Sequence, residues 1–568
     1  MRDNPVIITD RKHKVLRRVR ANHSLRRVDF VKLGNISKYA IDTLVVSEDK
    51  NFYTHRGIDL SAVFRAAVLD IKSGGLKYGA STITMQLMRM INSKGQRRTF
   101  YNKIKEATLA LRSEQILSKN EILELYLNSA DFGNGAIGIE EAAFTYFNKS
   151  ADALTLSEAV FLMVLPRGSS YYNPLRHYSR VLKRRDHLLQ LLLKNRKISK
   201  PDMDNALKKK PVVSLHKHPF KAEHFVNYVL DNVDKDTVKN GAIIVTTLDL
   251  NIQKRVEALT ALHVKKFKER GVNQAGAVVL DSQSGEILAM AGSAGDDSLN
   301  GKINITARKR YPGSALKPFV YGEAIEQGLS PKSLIDDIAD VPSAYKIDRP
   351  VKEHGRVPLK EALAGSYNLA AVHLLEKIGI HKVLEKMKLA GISQFTLPKE
   401  SYGLRLALGS AKTTLVDLAS AYGFIVREGK VVPGRSILKI ELNNYKTIQV
   451  KSLKEKQIFS KETAWQVMEM LSDNDARYKV FGYDVPADLP YKVVAKSGTA
   501  KGFSDVVAIF ATKELTAAAW TGRVDGRPTK GVLGLEGAGP LARAALLAAS
   551  KGKTLTLPKK PNTLMSNF

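Results

Sequence analysis

The chain of 568 residues contains no cysteine, which excludes disulfide bonds, thiolate metal sites and cysteine nucleophiles. It also lacks an apolar run of about 18 residues, the length that a membrane-spanning helix needs. Its first residues, Met1–Pro5, contain no apolar signal region. We therefore expect no bilayer-spanning segment within the sequence.

Negative charge is scarce: 56 acidic residues face 89 Lys and Arg, which gives a formal net charge of +33. A surplus of this size predicts attraction to a polyanion, which could be nucleic acid, an anionic lipid surface or a diphosphate. The sequence has no zinc finger, RNA-recognition core or basic helix with heptads, so a prediction of nucleic-acid binding would rest on charge alone. Charge by itself does not choose among the three.

The length exceeds what one hydrophobic core usually supports, so we expect at least two domains. Residues 1–35 read as a basic arm, and residues 36–200 as mainly helical, with capping boxes of the Ser-x-x-Glu and Thr-x-x-Glu type. Residues 201–250 read as a linker. Residues 251–550 mix predicted strands and helices, which indicates an α+β domain, and residues 551–568 form a tail.

Three short motifs follow one another in the second half. Ser314-Ala-Leu-Lys317 places a hydroxyl and an amine one helical turn apart, where a neutral lysine can take the serine proton. This requires the pKa of Lys317 to fall, through burial or a neighbouring cation. Ser366-Tyr-Asn368 and Lys496-Ser-Gly-Thr499 come later. S-x-x-K alone is weak, but the ordered set resembles that of penicillin-binding proteins and serine β-lactamases.

This resemblance implies a role for each residue. Ser314 attacks the carbonyl of the penultimate D-alanine and Lys317 is the candidate base. Ser366 and Asn368 relay protons and bind the substrate amide.

The resemblance also assigns the strand motif to substrate binding. Lys496 and Thr499 bind the terminal carboxylate, with Ser497 beside them, and Gly498 admits the substrate closely. The oxyanion hole is expected from the backbone N–H groups of Ser314 and Ala500.

The first half carries five ordered motifs that resemble those of peptidoglycan glycosyltransferases. They span Glu48–Gly57 (E-D-K-N-F-Y-T-H-R-G), Gly79–Leu87 (G-A-S-T-I-T-M-Q-L), Lys103–Glu106, Lys119–Asn128 and residues 165–174. The chemistry needs a carboxylate that removes a proton from the acceptor hydroxyl, and cations that bind the diphosphate leaving group.

By resemblance Glu48 is the base, and Glu106 is positioned near the diphosphate. The expected diphosphate clamp is Arg89, Arg98 and Lys103, and the expected hydrogen-bonding contacts to substrate are Ser81, Thr82 and Gln86. His55 is interpreted as a structural hydrogen-bonding residue, and the role of Asp49 stays open.

Together the motifs resemble class A, bifunctional penicillin-binding proteins, in a form similar to the penicillin-binding protein 1C subgroup. The family implies a lysozyme-like, mainly α glycosyltransferase domain followed by an α+β penicillin-binding transpeptidase domain. Its substrates are lipid II and nascent peptidoglycan at the outer face of the bacterial cytoplasmic membrane, where anionic lipids and diphosphates would account for the basic surplus. No cofactor is required, although the glycosyltransferase site leaves room for a divalent cation, Mg²⁺ or Mn²⁺.

Further expectations follow from the same resemblance. β-Lactams and moenomycin-type phosphoglycolipids are the expected inhibitors, other cell-wall synthesis proteins are candidate partners, and nucleic acid is not expected. Family members carry an N-terminal membrane anchor that this sequence lacks. Either the start is truncated, which we favour, or the basic arm touches the membrane surface.

Three alternatives stay open at this point. A glycosidase joined to a β-lactamase or carboxypeptidase would also use paired carboxylates and a serine, but it leaves the S-T-I-T run unexplained. A β-lactam sensor without catalysis conflicts with the complete motifs. A nucleic-acid binder is motivated only by the charge.

Overall fold

The structure, a computed structural model, describes residues 6–19, 30–73, 81–92, 99–216, 220–295, 301–341, 352–392, 402–443, 445–451 and 454–564. The chain divides into two compact units. The first comprises Met1–Val6, Arg18–Pro219 and Asp236–Ala242, and the second comprises Ile7–Arg17, Phe220–Lys235 and Ile243–Phe568.

The first unit is mainly helical. Its helices are α1 (Lys38–Glu48), α2 (Leu60–Ser73), α3 (Ile83–Asn92), α4 (Phe100–Ser113), α5 (Lys119–Ser129), α6 (Ile139–Phe147), α7 (Leu156–Val164), α8 (Tyr178–Lys194) and α9 (Lys200–Lys208). Helix α7 is apolar around most of its circumference and buried from Ser157 to Val164 except at Glu158, so it forms the centre against which α1 and α8 pack. The two predicted capping boxes, Ser118–Glu121 and Thr155–Glu158, are confirmed at the starts of α5 and α7.

The second unit contains two five-stranded sheets and two small ones. Its strands are β1 (Val6–Thr9), β2 (Val15–Val19), β3 (Ala242–Thr246), β4 (Gln274–Asp281), β5 (Ile287–Ala291), β6 (Leu334–Asp337), β7 (Gly355–Pro358), β8 (Lys430–Val431), β9 (Ile437–Leu442), β10 (Thr447–Gln449), β11 (Lys456–Gln457), β12 (Val494–Thr499), β13 (Asp505–Ala511) and β14 (Leu515–Gly522). The sheet orders are β10-β9-β3-β1-β2, β12-β13-β14-β4-β5, β8-β11 and β6-β7.

The remaining helices follow α9 along the chain. They are α10 (Glu223–Asn232), α11 (Lys235–Val238), α12 (Leu250–Phe267), α13 (Lys317–Glu326), α14 (Leu359–Ala364), α15 (Asn368–Ile378), α16 (Ile380–Leu389), α17 (Leu415–Ala421), α18 (Gly423–Val426), α19 (Lys461–Leu471), α20 (Asn474–Phe481), α21 (Gly534–Gly537) and α22 (Gly539–Ser550). Every residue of β13 and β14 is buried, since α12, α17 and α22 pack on the sheet. β12 remains an edge strand.

The predicted order, a mainly α domain followed by an α+β domain, is confirmed. The segment predicted as an arm, 1–35, contains β1 and β2, and the segment predicted as a linker, 201–250, contains most of α9 together with α10, α11 and β3. Their apolar residues explain this: Val6, Ile8 and Leu16 are buried, as are Phe225, Val226 and Val229 of α10. Within the described ranges, no helix is at once long and apolar enough to cross a membrane.

Candidate active sites

The first candidate site is built around the carboxylate of Glu48, the last residue of α1. Gln86 of α3 donates from Nε2 to Glu48 Oε2 at 3.1 Å, and the buried Tyr126 of α5 donates its hydroxyl to Gln86 Oε1 at 3.1 Å. An ionised carboxylate can only accept, so the amide must turn its NH₂ group to Glu48, and Tyr126 holds it in that orientation. Glu48 is therefore an oriented carboxylate.

The neighbouring Asp49, whose role the sequence left open, supports this arrangement from the protein interior. Its carboxylate lies 3.0 Å from His55 Nε2 and accepts the backbone N–H of Ile83 at 3.0 Å. Burial raises the pKa of Asp49, against the hydrogen bond from Ile83 and the proximity of His55. These contacts tie the end of α1 to the start of α3, which agrees with a structural role for His55.

Two residues of the second motif that are predicted to contact substrate also make contacts within the protein. Thr82 is buried: its hydroxyl donates to the Gly57 carbonyl at 2.7 Å and accepts the N–H of Met85 at 3.1 Å, as an N-cap of α3 does. The structure thus gives Thr82 a role at the start of α3, and its contact with substrate stays a prediction. Gln86 contacts Glu48 rather than open solvent. Ser81 is half-buried at the start of this segment.

The expected diphosphate clamp is only partly described. Lys103 is exposed on α4, and Glu106 lies one turn further along the same helix and is buried. Arg89 is half-buried in the last turn of α3. Arg98 lies outside the described residues.

Arg184 of α8 is a cation that sequence reasoning missed. It is half-buried, and burial together with the like charge of Arg167 lowers its pKa, whereas Tyr172 and Glu48 raise it. This places a guanidinium within electrostatic range of Glu48. The signal was present as the Lys183-Arg184-Arg185 run, of which Arg185 is buried and bonded to Ser157 at 2.9 Å.

A metal ion at this site would need a set of ligands among the described residues. Across the parts of the chain that the structure describes, no group of three or more His, Asp or Glu side chains lies close enough together to hold an ion. A Mg²⁺ or Mn²⁺ site needs several oxygen ligands. A divalent cation in the glycosyltransferase site therefore stays a prediction.

The second candidate site begins at the tight turn Gly313–Leu316, which leads directly into α13. Ser314 in this turn is half-buried and lines a cleft of about 1270 Å³. Ser366, Asn368 and Thr499 line the same cleft, so the structure brings the three motifs of the second half together.

Lys317 is fully buried beneath these motifs. Its Nζ donates to the carbonyls of Ser366 and Tyr367 at 2.6 and 2.8 Å and to Asn368 Oδ1 at 2.8 Å, with Ser366 Oγ at 3.4 Å. Burial and the charge of Lys496 hold the pKa of Lys317 well below its usual value, while Asp337 opposes them. The predicted fall in the pKa of Lys317 thus has a physical cause.

Lys496 of β12 is also buried and does not line the cleft. Its Nζ donates to Ser366 Oγ and to the Ser497 carbonyl, both at 2.8 Å. Burial, with Arg477 nearby, lowers the pKa of Lys496 to about 7. The Ser366 hydroxyl therefore lies between two lysines, and the groups of the strand motif that face the cleft directly are Ser497 and Thr499.

The structure corrects the predicted oxyanion donor. The N–H of Ala500 donates to the Asp505 carbonyl at 2.8 Å and is not available to a substrate. Backbone N–H groups alternate between the two edges of a strand, and β12 pairs with β13 on one edge only, with Thr499 opposite Val506. Thr499, one residue earlier, therefore directs its N–H towards the open edge.

Gly498 also permits a close approach of two backbone segments of the protein. A Cβ built on it would lie 1.9 Å from the Pro312 carbonyl oxygen, and one on Gly313 would lie 2.5 Å from the Thr499 carbonyl oxygen. A Cβ on Gly409 would lie 2.2 Å from the Gly313 carbonyl oxygen. Gly498 thus admits the turn that carries Ser314, and the three glycines let three backbones touch.

Comparisons with known proteins agree with this geometry. The Transglycosylase family model matches residues 12–193, and the model of the penicillin binding protein transpeptidase domain matches residues 275–524. Penicillin-binding protein 1C of Escherichia coli is 31% identical over 94% of this chain and 67% of its own length. Penicillin-binding protein 1A of Aquifex aeolicus is 28% identical over 87% of this chain and 79% of its own length.

A solved structure shares the fold. The crystal structure of penicillin-binding protein 1A from Haemophilus influenzae superposes with a TM-score of 0.69 at 20% identity, covering 99% of this chain and 94% of that one. At this identity the match concerns the fold alone.

Proposed function

The chain belongs to the class A penicillin-binding proteins and is a bifunctional peptidoglycan synthase, with glycosyltransferase and D,D-transpeptidase activities, and we propose which residues carry its two reactions and where they take place. The observation that carries the proposal is that each unit gathers the motif residues of one reaction around a single reactive group. That group is Glu48 in the first unit and Ser314 in the second.

In the first unit, Glu48 removes the proton from the sugar hydroxyl of one lipid-linked disaccharide. The resulting oxygen attacks C1 of the other, and the lipid diphosphate leaves with the bonding electron pair. The departing group is already a good anion, so it needs cations rather than an acid. Lys103 and Arg89 supply them, together with Arg184 near Glu48.

In the second unit, Ser314 Oγ attacks the penultimate D-alanine carbonyl of a stem peptide while Lys317, in its neutral form, takes the proton. The backbone N–H groups of Ser314 and Thr499 stabilise the oxyanion. The terminal D-alanine leaves with a proton that Ser366 relays, and the amine of a second stem peptide then displaces Ser314. Ser497 and Thr499 bind the terminal carboxylate, with the charge of Lys496 behind them.

We place the first unit on a lipid surface, at the outer face of the cytoplasmic membrane. Four apolar side chains at i, i+3, i+4 and i+8 of α2 are exposed, namely Leu60, Val63, Phe64 and Val68. Tyr101 and Ile104 of α4 are exposed as well. An apolar helix face on a chain of charge +33 fits an anionic bilayer, where lipid II is found.

The inhibitors follow from the same chemistry. A β-lactam acylates Ser314 because its strained amide replaces the D-alanine amide. A moenomycin-type phosphoglycolipid occupies the cations of the first unit because it carries a lipid-linked phosphate. Other cell-wall synthesis proteins are proposed partners, and nucleic acid is not.

Incubation of the full chain with lipid II in vesicles tests the proposal. Glycan chains should appear on gels, and digestion with a muramidase should release cross-linked peptide dimers. Cleavage of added glycan without polymer formation would favour the glycosidase alternative, and hydrolysis of stem peptides without dimers would favour a carboxypeptidase.

A further inference from the structure

One buried carboxylate in the second unit belongs to none of the motifs. Asp337 ends β6 and is 1% exposed, whereas the side chain of the preceding residue, Asp336, is 54% exposed. A carboxylate is costly to bury unless hydrogen bonds compensate it. The partners of Asp337 therefore indicate why it is there.

Both oxygens of Asp337 are directed at the segment that carries Ser366 and Asn368. Oδ1 accepts the backbone N–H of Ala370 at 2.8 Å, in the first turn of α15. The residue at the N-cap of this helix is Tyr367, whose side chain makes no capping hydrogen bond. Asp337, at the end of β6, thus caps the N-terminus of α15. A negative charge at that end of a helix also interacts favourably with the helix dipole.

Oδ2 of Asp337 lies 2.6 Å from His354 Nδ1, and the imidazole of His354 stacks on the ring of Tyr367 with centroids 3.8 Å apart and planes at 2°. The carbonyl of Tyr367 is one of the three acceptors around Lys317 Nζ. The contact chain therefore runs from Asp337 through His354 and Tyr367 to Lys317.

The segment held in this way is strained. Ser366 has φ +59°, in the left-handed region that a residue with a Cβ rarely adopts. Such a conformation persists where the surroundings fix it. Neither Asp337 nor His354 lines the cleft, so they act on Ser366 without touching a substrate.

We propose that Asp337 is a positioning residue of the transpeptidase site, which together with His354 clamps Ser366–Asn368 and supplies the buried negative charge that balances Lys317. The inference rests on the proposed function, since it presupposes that Ser314 is acylated with Lys317 as base.

The charges around Lys317 determine in which direction the pKa of Lys317 should move when Asp337 is replaced. Lys496 of β12 faces it with a positive charge, itself next to Arg477, and Asp337 of β6 faces it with a negative charge. Tyr321, on the same helix as Lys317, and Tyr367 lie within electrostatic range of Asp337, and His354 is hydrogen-bonded to it. Asp337 raises the pKa of Lys317, so its neutralisation should favour the neutral amine at lower pH.

Asp337→Asn in the full chain tests this, because asparagine can still accept from Ala370 while the charge is lost. The measurement is the second-order rate of acylation by a fluorescent penicillin as a function of pH. We expect the maximal rate to fall by about tenfold through misplacement of Ser366, and the acidic limb of the profile to move to lower pH. Asp336→Asn, the exposed neighbour, is the matched control and should change neither.

A second variant separates the charge from the clamp. His354→Phe keeps the stack on Tyr367 and the charge of Asp337 but loses the bond between them. We expect a smaller fall in rate and an acidic limb at the wild-type position. Circular dichroism and thermal unfolding establish that each variant is folded.

The outcomes divide as follows. An Asp337→Asn profile that matches wild type, or a loss of rate with an unmoved acidic limb, would overturn the inference. So would an equal shift in Asp336→Asn. Ser314→Ala is run in parallel: labelling that persists there would overturn the assignment of the nucleophile, and with it the proposed function, independently of Asp337.

Discussion

The reactive groups of the two units are held in opposite ways. In the second unit, Lys317 and Lys496 are buried and share the Ser366 hydroxyl, and hydrogen bonds of 2.6–2.8 Å link all three motifs. In the first unit, Glu48 receives one hydrogen bond, from Gln86 at 3.1 Å, while Lys103 is exposed on its helix. One site is a connected buried network, and the other is an oriented carboxylate among accessible cations.

The difference matches the demands of the two reactions. A serine becomes a nucleophile at neutral pH only if a neighbouring amine is neutral, and burial achieves this for lysine. Diphosphate departure needs positive charge near the leaving oxygen, and a long, exposed lysine provides it. The comparison therefore predicts that the second site responds to pH and to small displacements, and the first to charge and salt.

The largest effect should come from removal of the nucleophile. Ser314→Ala should abolish covalent labelling by fluorescent penicillin, since Ser314 lines the cleft together with Ser366 and Asn368, and Lys317 of the same S-x-x-K motif contacts both of these residues. Polymerisation of lipid II should continue, because it depends on the first unit. Gel fluorescence and product analysis measure the two, and labelling that survives would show that Ser314 is not the nucleophile.

The second-largest effect should come from replacement of Glu48, the proposed base of the first site. Glu48→Gln should lower polymerisation by at least about a hundredfold, the scale of a positioned base, and should leave penicillin labelling unchanged. Asp42→Asn, on the same helix and paired with Lys197 at 2.9 Å, serves as control. Polymerisation near the wild-type rate in Glu48→Gln would remove this residue from its proposed role.

A smaller effect should come from removal of Lys103, the exposed cation of the first site. Lys103→Ala should weaken binding of a moenomycin-type phosphoglycolipid by about tenfold, as expected for one charge-assisted phosphate contact. Lys105→Ala removes an equally exposed lysine from the same helix and should have little effect. Calorimetry on the full chain measures both. Equal losses of affinity in the two variants would mean that the overall positive charge, rather than a specific contact of Lys103, binds the phosphate. In that case added salt should make the affinities of both variants equal to that of the wild type.

The smallest effect is a pH dependence of substrate affinity in the second site. The pKa of Lys496 is lowered to about 7, so its charge is present below that pH and lost above it. The affinity for the penicillin carboxylate should therefore fall several-fold between about pH 6 and about pH 8, as read from the concentration dependence of acylation. Lys496→Arg stays charged across this range, and its affinity should be flat. The same slope in both proteins would exclude Lys496 as the cause.

Ordered motifs were enough to predict the order of the two domains and most of the residues that meet at each site. Ser314, Lys317, Ser366 and Asn368 come together because a tight turn and a helix start place them there. The motifs did not reveal which edge of β12 is open, so the oxyanion donor was placed at Ala500 rather than Thr499. Which residues of β12 direct their N–H groups to the open edge depends on how β12 pairs with β13, and no local sequence pattern indicates that pairing.

Other omissions have different causes. Thr82 stands at a helix start, where a threonine is often a cap, and its hydroxyl accepts the backbone N–H of Met85, a bond that the substrate prediction did not consider. Arg184 was missed because it lies beyond the last motif. Asp337 could not have been found, since its partners, Ala370 and His354, are distant in sequence.

The contact among Gly313, Gly409 and Gly498 also restricts how this enzyme can escape a drug. The three segments meet through main-chain atoms, and a main chain cannot rotate away from an added methyl group as a side chain can. Side chains that line the cleft, such as Leu408 or Leu533, are free of this constraint and can change its shape. At the glycines themselves, resistance would require three backbones to move at once, and any such change would displace Ser314 from its own substrate.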